Sequence, residues 1–377
     1  MTQYLRYRRS LVGVFAGVVI AVTTMVAAGP AFALPPIVIG QSLPISAADP
    51  SAGRAIREGA EAYVRHVNEN GGIGGRPLKL ITLDDGGDVE AYRHNLRRLM
   101  AEERAVAIIN CLGDLYCSVA ADIADAFGVP VVGAMSGSAE LRARTRNMFH
   151  TRAGYALEVE SLARQLRTLG VQTLAHITEH GRMSEQGALV RGAFAEAGIA
   201  VESFELASPR HEDIEKALAS IGGRFDAATL DVSADTYFTL GSGNFGGRRE
   251  WPAIMTTLAG PSVRLLARTF RGRMVGFTMV VPNPEGTSIP LVREFQRNVD
   301  KYVAGSAVSF EGLESYINAL ICVTALKRTQ SPTASELMRA LGDLREADLG
   351  GFKVRVGGQA AQWVDVGVVS RDGSFMN

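Results

Sequence analysis

Apolar and polar positions follow two rhythms along this chain. Residues 37–41 (IVIGQ) form a short β-branched run that predicts a strand, and over 55–68 the residues Ala60, Tyr63, Val64 and Val67 recur at helical spacing on one face. Asn70-Gly71-Gly72-Ile73-Gly74-Gly75 follows, rich in residues that tolerate positive φ, and predicts the helix end. Strands are then predicted at 78–83, 106–109 and 129–133, with helices at 89–102 and 118–127 between them. This βαβαβαβ order is the signature of a parallel sheet covered by helices.

A second series has the same build. Helices are predicted at 157–169, 184–197 and 213–221, and strands at 173–177, 201–206 and 227–231. No long Pro- or Ser-rich linker separates the two series, so the expected fold class is α/β, with two Rossmann-like lobes. Short crossover segments near Thr151, Pro282 and Gly350 would join them. The first lobe then takes residues 34–151 with 283–349, and the second takes 152–282 with 350–377. In open parallel sheets the ligand crevice lies at the carboxyl ends of the strands, and two such sheets facing each other make a cleft.

The first 33 residues obey another rule. Arg6, Arg8 and Arg9 precede an apolar stretch at 11–28, and Ala31-Phe32-Ala33 has the small-x-small pattern that signal peptidase cleaves after. Residues 1–33 therefore read as a secretory signal, with the exported mature chain starting near Leu34. The alternative is a membrane anchor, because an apolar run of about 18 residues approaches spanning length.

Composition narrows the class further. The chain of 377 residues is 47% hydrophobic and 21% charged, which excludes disordered and fibrous proteins. Removing the leader takes three of the 39 basic residues and none of the 39 acidic ones, so nothing points to nucleic acid. Cys111, Cys117 and Cys322 are too few for a disulfide scaffold, but export permits one bridge. Cys111 and Cys117 flank the turn CLGDLYCS, and a bridge across it needs their Cα atoms within about 7 Å.

Several apparent motifs lack their context. Gly241, Gly243 and Gly246 spell G-x-G-x-x-G, yet they follow a helical pattern rather than a strand, so no dinucleotide cofactor is expected. The six histidines share no ligand spacing. Asp84, Asp85 and Asp88 lack the remaining ligands of a calcium loop and read as a strand-end turn. No P-loop, G-x-S-x-G or H-E-x-x-H is present, so neither catalysis nor a metal is expected.

The order of segments carries a resemblance. IVIGQSLPIS, then GAEAYVRHVNENGGIGGRPLKLITLDDGGDVEAYRHNLRRLM, FGVPVVGAMSGSAELR, FHTRAGYALEVESL, SFEGLESYINAL, DLGGFKVRV and VGVVSRDGSF cover nearly the whole mature chain. Together they resemble the branched-chain amino acid (Leu/Ile/Val) binding proteins of ABC importers, type I periplasmic binding proteins. The resemblance implies a monomeric Venus-flytrap protein that closes on a small molecule, commonly an amino acid, and presents it to an inner-membrane permease.

It also implies where a ligand sits. Relatives hold a ligand carboxylate with amides and hydroxyls at two first-lobe turns, where helix starts offer unpaired donors. The first corresponds to Asp114-Leu115-Tyr116, where relatives carry small hydroxyl residues; Asp114 is here either a ligand contact or an N-cap acceptor for the helix. The second keeps the small-hydroxyl pattern in Ser136, Gly137 and Ser138. Tyr155 falls where relatives have a cleft-facing aromatic, though a tyrosine packed at the crossover would look the same. In the second lobe Arg182 matches an aromatic of the relatives, and is either a bidentate clamp for a ligand acid or a solvated loop residue. Thr257 lies where relatives bind the ligand ammonium with an acid, and Asp231 is the nearest replacement.

Three readings follow. The leading one is a solute-binding component of an importer for an amino acid or a related small organic acid or amide. A ligand sensor that regulates a partner would share the fold, and a secreted enzyme lacks its motifs.

Overall fold

In a computed structural model of the chain, residues 34–377 are described except 48, 145, 180–184, 244, 260–262, 357–362, 370–374 and 377. The expected signal at 1–33 and the candidate Arg182 therefore lie outside the described residues.

The first series builds one sheet. It runs β1 (Ile37–Leu43), α1 (Ser51–Glu69), β2 (Leu78–Asp84), α2 (Val89–Ala101), β3 (Ala107–Leu112), α3 (Gly113–Phe127), β4 (Val131–Met135), α4 (Ala139–Arg144) and β5 (Met148–Phe149). Its five parallel strands are ordered β2-β1-β3-β4-β5. Both faces are covered by helices, which is why β4 is buried throughout and β3 nearly so, as continuous apolar runs rather than alternating ones.

The second series continues with α5 (Tyr155–Thr168), β6 (Thr173–Glu179), α6 (Glu185–Glu196), β7 (Ala200–Leu206), α7 (His211–Ile221) and β8 (Ala227–Asp231). It closes with α8 (Ala234–Ser242), β9 (Ile254–Thr257), α9 (Val263–Thr269) and β10 (Met274–Met279). The chain then returns to the first sheet with α10 (Pro290–Tyr302), α11 (Phe310–Leu326), α12 (Ala334–Asp343), β11 (Glu346–Asp348) and β12 (Lys353–Arg355). Last, β13 (Asp365–Val369) and β14 (Phe375–Met376) join the second sheet, whose order is β14-β13-β10-β9-β8-β6-β7. Among these pairings only β10 with β13 and β13 with β14 are antiparallel.

Two boundaries differ from the sequence expectation. α3 starts at Gly113 rather than 118, because Gly113 takes a φ of 81° and turns the strand directly into the helix. Past Gly350 the chain is still packed in the first core. β11 and β12 pair as a hairpin whose Ala347, Leu349, Phe352, Val354 and Val356 are buried in the first core. In the G-x-G-x-x-G stretch Gly241 lies in the last turn of α8, Gly243 caps that helix and Gly246 falls in a short 3-10 turn beyond it, so the stretch follows a helix rather than a strand. Asp84, Asp85 and Asp88 accept backbone amides from Ile45, Gly86, Gly87 and Ala91, the last as the N-cap bond of α2. Among the described residues no helix is long and apolar enough to cross a membrane.

A buried polar thread fixes the first lobe to its returning helix. The Asn110 amide donates to Gln41 Oε1 at 2.8 Å and to Ser315 Oγ at 2.9 Å, and Asn318 Nδ2 of α11 donates to Asn110 Oδ1 at 2.8 Å. Thr151, on the first crossover, donates its hydroxyl to Asn318 Oδ1. Asn110 and Gly133 both have positive φ, 58° and 77°, in neighbouring strands. A Cβ on Gly133 would lie 2.0 Å from the Asn318 side chain. Gly133→Ala is therefore expected to lower unfolding stability by roughly 2–4 kcal/mol in urea titrations, from overpacking and a strained φ together.

Candidate functional site

The carboxyl ends of β3 and β4 place two turns side by side. Leu112 rather than Asp114 is the N-cap of α3, and it makes no side-chain cap bond. Asp114 instead stands in the first helical turn, and a single oxygen, Oδ1, accepts the Ser136 hydroxyl at 2.6 Å and the Tyr155 hydroxyl at 2.8 Å. Ser136 Oγ in turn accepts the Ser138 N–H at 3.1 Å, and Ser138 Oγ lies 3.4 Å from the Leu141 amide at the start of α4. The Tyr155 amide donates to the Gly137 carbonyl at 2.9 Å. Gly137 has no Cβ for a reason: one would stand 2.4 Å from the Tyr155 ring. The fold therefore joins Asp114, Ser136, Gly137, Ser138 and Tyr155 into one cluster, linking the first-lobe turns to the first residue of α5.

The neighbours of Asp114 point elsewhere. Leu115 is 62% exposed. Tyr116 donates its hydroxyl to the Gly87 carbonyl at 2.6 Å and packs edge-on against Tyr92, so it ties α3 to the turn before α2. A disulfide joins Cys111 and Cys117, with Cα atoms 5.0 Å apart, and so clamps the end of β3 to the first turns of α3.

In the second sheet, Asp231 ends β8 and is 8% exposed. Its Oδ2 is 3.9 Å from Nε2 of the buried His176, too long for a hydrogen bond. Burial, and then the Arg191 guanidinium, lower the His176 pKa to about 4, so the ring is neutral at neutral pH and forms no ion pair with Asp231. Thr257 is buried and its hydroxyl is held by Tyr237 Oη at 3.0 Å, which ties α8 to β9. Sequence reasoning missed Glu179, at the end of β6. Its Oε1 accepts the hydroxyls of Ser233 and Thr236 at the start of α8, where the helix dipole favours an anion. The available signal was an acid at the carboxyl end of an apolar strand, in AHITE at 175–179.

Between the sheets the first crossover carries a buried charge. Arg152, 3% exposed, lies 3.3 Å from Glu158 of α5 and 3.6 Å from Glu314 of α11. Burial, partly offset by Arg152, raises the Glu314 pKa. His150 is 2% exposed, and among the described residues neither ring nitrogen has a hydrogen-bond partner. Burial, then Arg142 and Arg152, push its pKa down to about 3.

Two predictions follow from these groups. Unfolded mature protein is expected to titrate with one thiol before reduction and three after, Cys322 being the lone free one among the described residues. Opening so short a loop should cost about 2 kcal/mol of stability. The histidines predict an acid sensitivity. His150 and His176 have folded pKa values of about 3 and about 4, below the ordinary 6.5, so only the unfolded chain takes up their protons as pH falls through 6.5. Stability measured in urea is expected to drop between pH 7 and pH 5 by up to about 2 kcal/mol per histidine, and His150→Gln to remove roughly half of that drop.

Comparison with solved structures shows how widely this architecture recurs. An extracellular ligand-binding receptor from Verminephrobacter eiseniae superposes with a TM-score of 0.78 at 24% identity, covering 91% of this chain and 100% of its own. A possible leucine/isoleucine/valine-binding protein from Rhodopirellula baltica gives 0.80 at 21%, covering 93% and 98%. A fatty acid ABC transporter substrate-binding protein from Thermomonospora curvata gives 0.77 at 16%, covering 90% and 91%. At such identities the likeness shows the fold alone. No curated protein matches the sequence. The family model described as periplasmic binding protein matches residues 36–374, and the chain therefore belongs to that family, as a type I member built to bind rather than to catalyse.

Proposed function

We propose that this protein is the extracytoplasmic solute-binding component of an ABC importer, which takes an amino-acid-sized solute between its two lobes and delivers it to a membrane permease. One observation carries the reading. Asp114, Ser136, Ser138 and Tyr155 converge at the carboxyl ends of β3 and β4, the place where open parallel sheets bind ligands. Family membership over nearly the whole described chain supports it, as do neighbours whose names specify substrate binding for transport. Export by cleavage after Ala33 fits an extracytoplasmic family.

Closure would move one lobe against the other about the crossovers, with Tyr155 reporting on both sides because it starts α5 and bonds to the first-lobe turn. The test is a thermal-shift panel of amino acids, amides, ureas, small carboxylates and fatty acids on the purified mature protein. A true solute at a hundred times its Kd is expected to raise Tm by roughly 4 °C. A panel that moves Tm nowhere would overturn the proposal.

A further inference from the structure

The carboxylate of Asp114 occupies two hydroxyl donors that an anionic ligand could use. The hydroxyls of Ser136, at the turn after β4, and of Tyr155, at the start of α5, already donate to Asp114 Oδ1. The Ser138 amide donates to Ser136 Oγ and is also occupied. A ligand carboxylate arriving here would meet a fixed negative charge and would have to displace those bonds. The buried Arg152 is no remedy, because it is 3% exposed and already faces both Glu158 and Glu314. Asp114 itself is half-buried, and its Oδ2 accepts nothing among the described residues. The turn is also held rigid: the Cys111–Cys117 bridge clamps the helix start, and the Tyr155 ring rests on Gly137. Across the second sheet, Glu179 and Asp231 add two more acids at carboxyl strand ends.

We propose that Asp114 converts this turn into a seat for an N–H donor, so that the solute is a small amide, urea or amine with no free carboxylate. Ser136 and Tyr155 then act as positioning residues that fix the acid, and Oδ2 of Asp114 receives the donor. The assignment rests on the solute-binding reading above and names its ligand class.

Calorimetric titration with matched pairs tests it: leucinamide against leucine, 3-methylbutanamide against 3-methylbutanoate, and acetamide against acetate. In each pair that binds, the member without a carboxylate is expected to bind at least about ten-fold more tightly to the natural protein. Asp114→Asn should bring the two members within about three-fold of each other, and Tyr155→Phe should narrow the ratio in the same direction by freeing the acid. The natural protein's ratio decides the matter even if either variant fails to fold. An acid that binds as tightly as its amide, or an Asp114→Asn protein that keeps the full ratio, would overturn the assignment while leaving solute binding intact. Binding by no member of any pair would overturn the assignment alone if another solute of the thermal-shift panel binds, and both readings if none does.

Discussion

The architecture turns on one buried guanidinium. Arg152 stands on the first crossover, where it faces Glu314 on a first-lobe helix and Glu158 on a second-lobe helix, and donates to the Ala259 carbonyl at 3.0 Å. Glu158 completes the knot from the other side, accepting the Ala259 amide at 2.9 Å and the Thr278 hydroxyl at 2.6 Å. Charges taken out of water are costly unless their partners are well placed, and removing one partner of such a pair costs about 3–5 kcal/mol. The arrangement therefore contributes a defined geometry at the crossover more surely than it contributes net stability. The position of Tyr155, three residues further on, inherits that geometry.

Tyr155 passes the constraint into the candidate site. Its amide bonds the Gly137 carbonyl and its hydroxyl bonds Asp114, so the second-lobe helix and the first-lobe turns share one hydrogen-bonded cluster. An acid at the centre of that cluster sets the local electrostatics. Two like charges about 4 Å apart repel by about 1 kcal/mol in water and about 4 kcal/mol at an effective dielectric of 20, which is enough to decide between a carboxylate and its amide. The fold is shared with neighbours named for leucine-type and fatty acid solutes, so the fold alone does not specify a ligand.

Much of the fold was legible in the sequence because parallel sheets leave a strong periodic signal. Strands β1, β2, β6, β7 and β8 and the helices between them lie within a few residues of their predicted places. The misplacements have local causes. Gly113, with positive φ, let α3 begin at the strand end, and the β11–β12 hairpin kept the chain in the first core past Gly350. In the candidate site, the small-hydroxyl turn at Ser136 to Ser138 was readable as a pattern. Glu179 was not, because an acid after a strand gives no spacing to recognise.

What the sequence determined by itself was the set of elements and the residues able to make a polar turn, since helical and strand periodicities and turn chemistry act over a few neighbours. Only the tertiary structure decided what Asp114 does. Ser136 is 22 residues away and Tyr155 is 41, and no local rule relates them to the acid. The same holds for Arg152, whose two carboxylates come from helices 6 and 162 residues further along the chain. Burial turns those distant meetings into constraints, because a charge or hydroxyl shut away from water must find its partner wherever the fold supplies one.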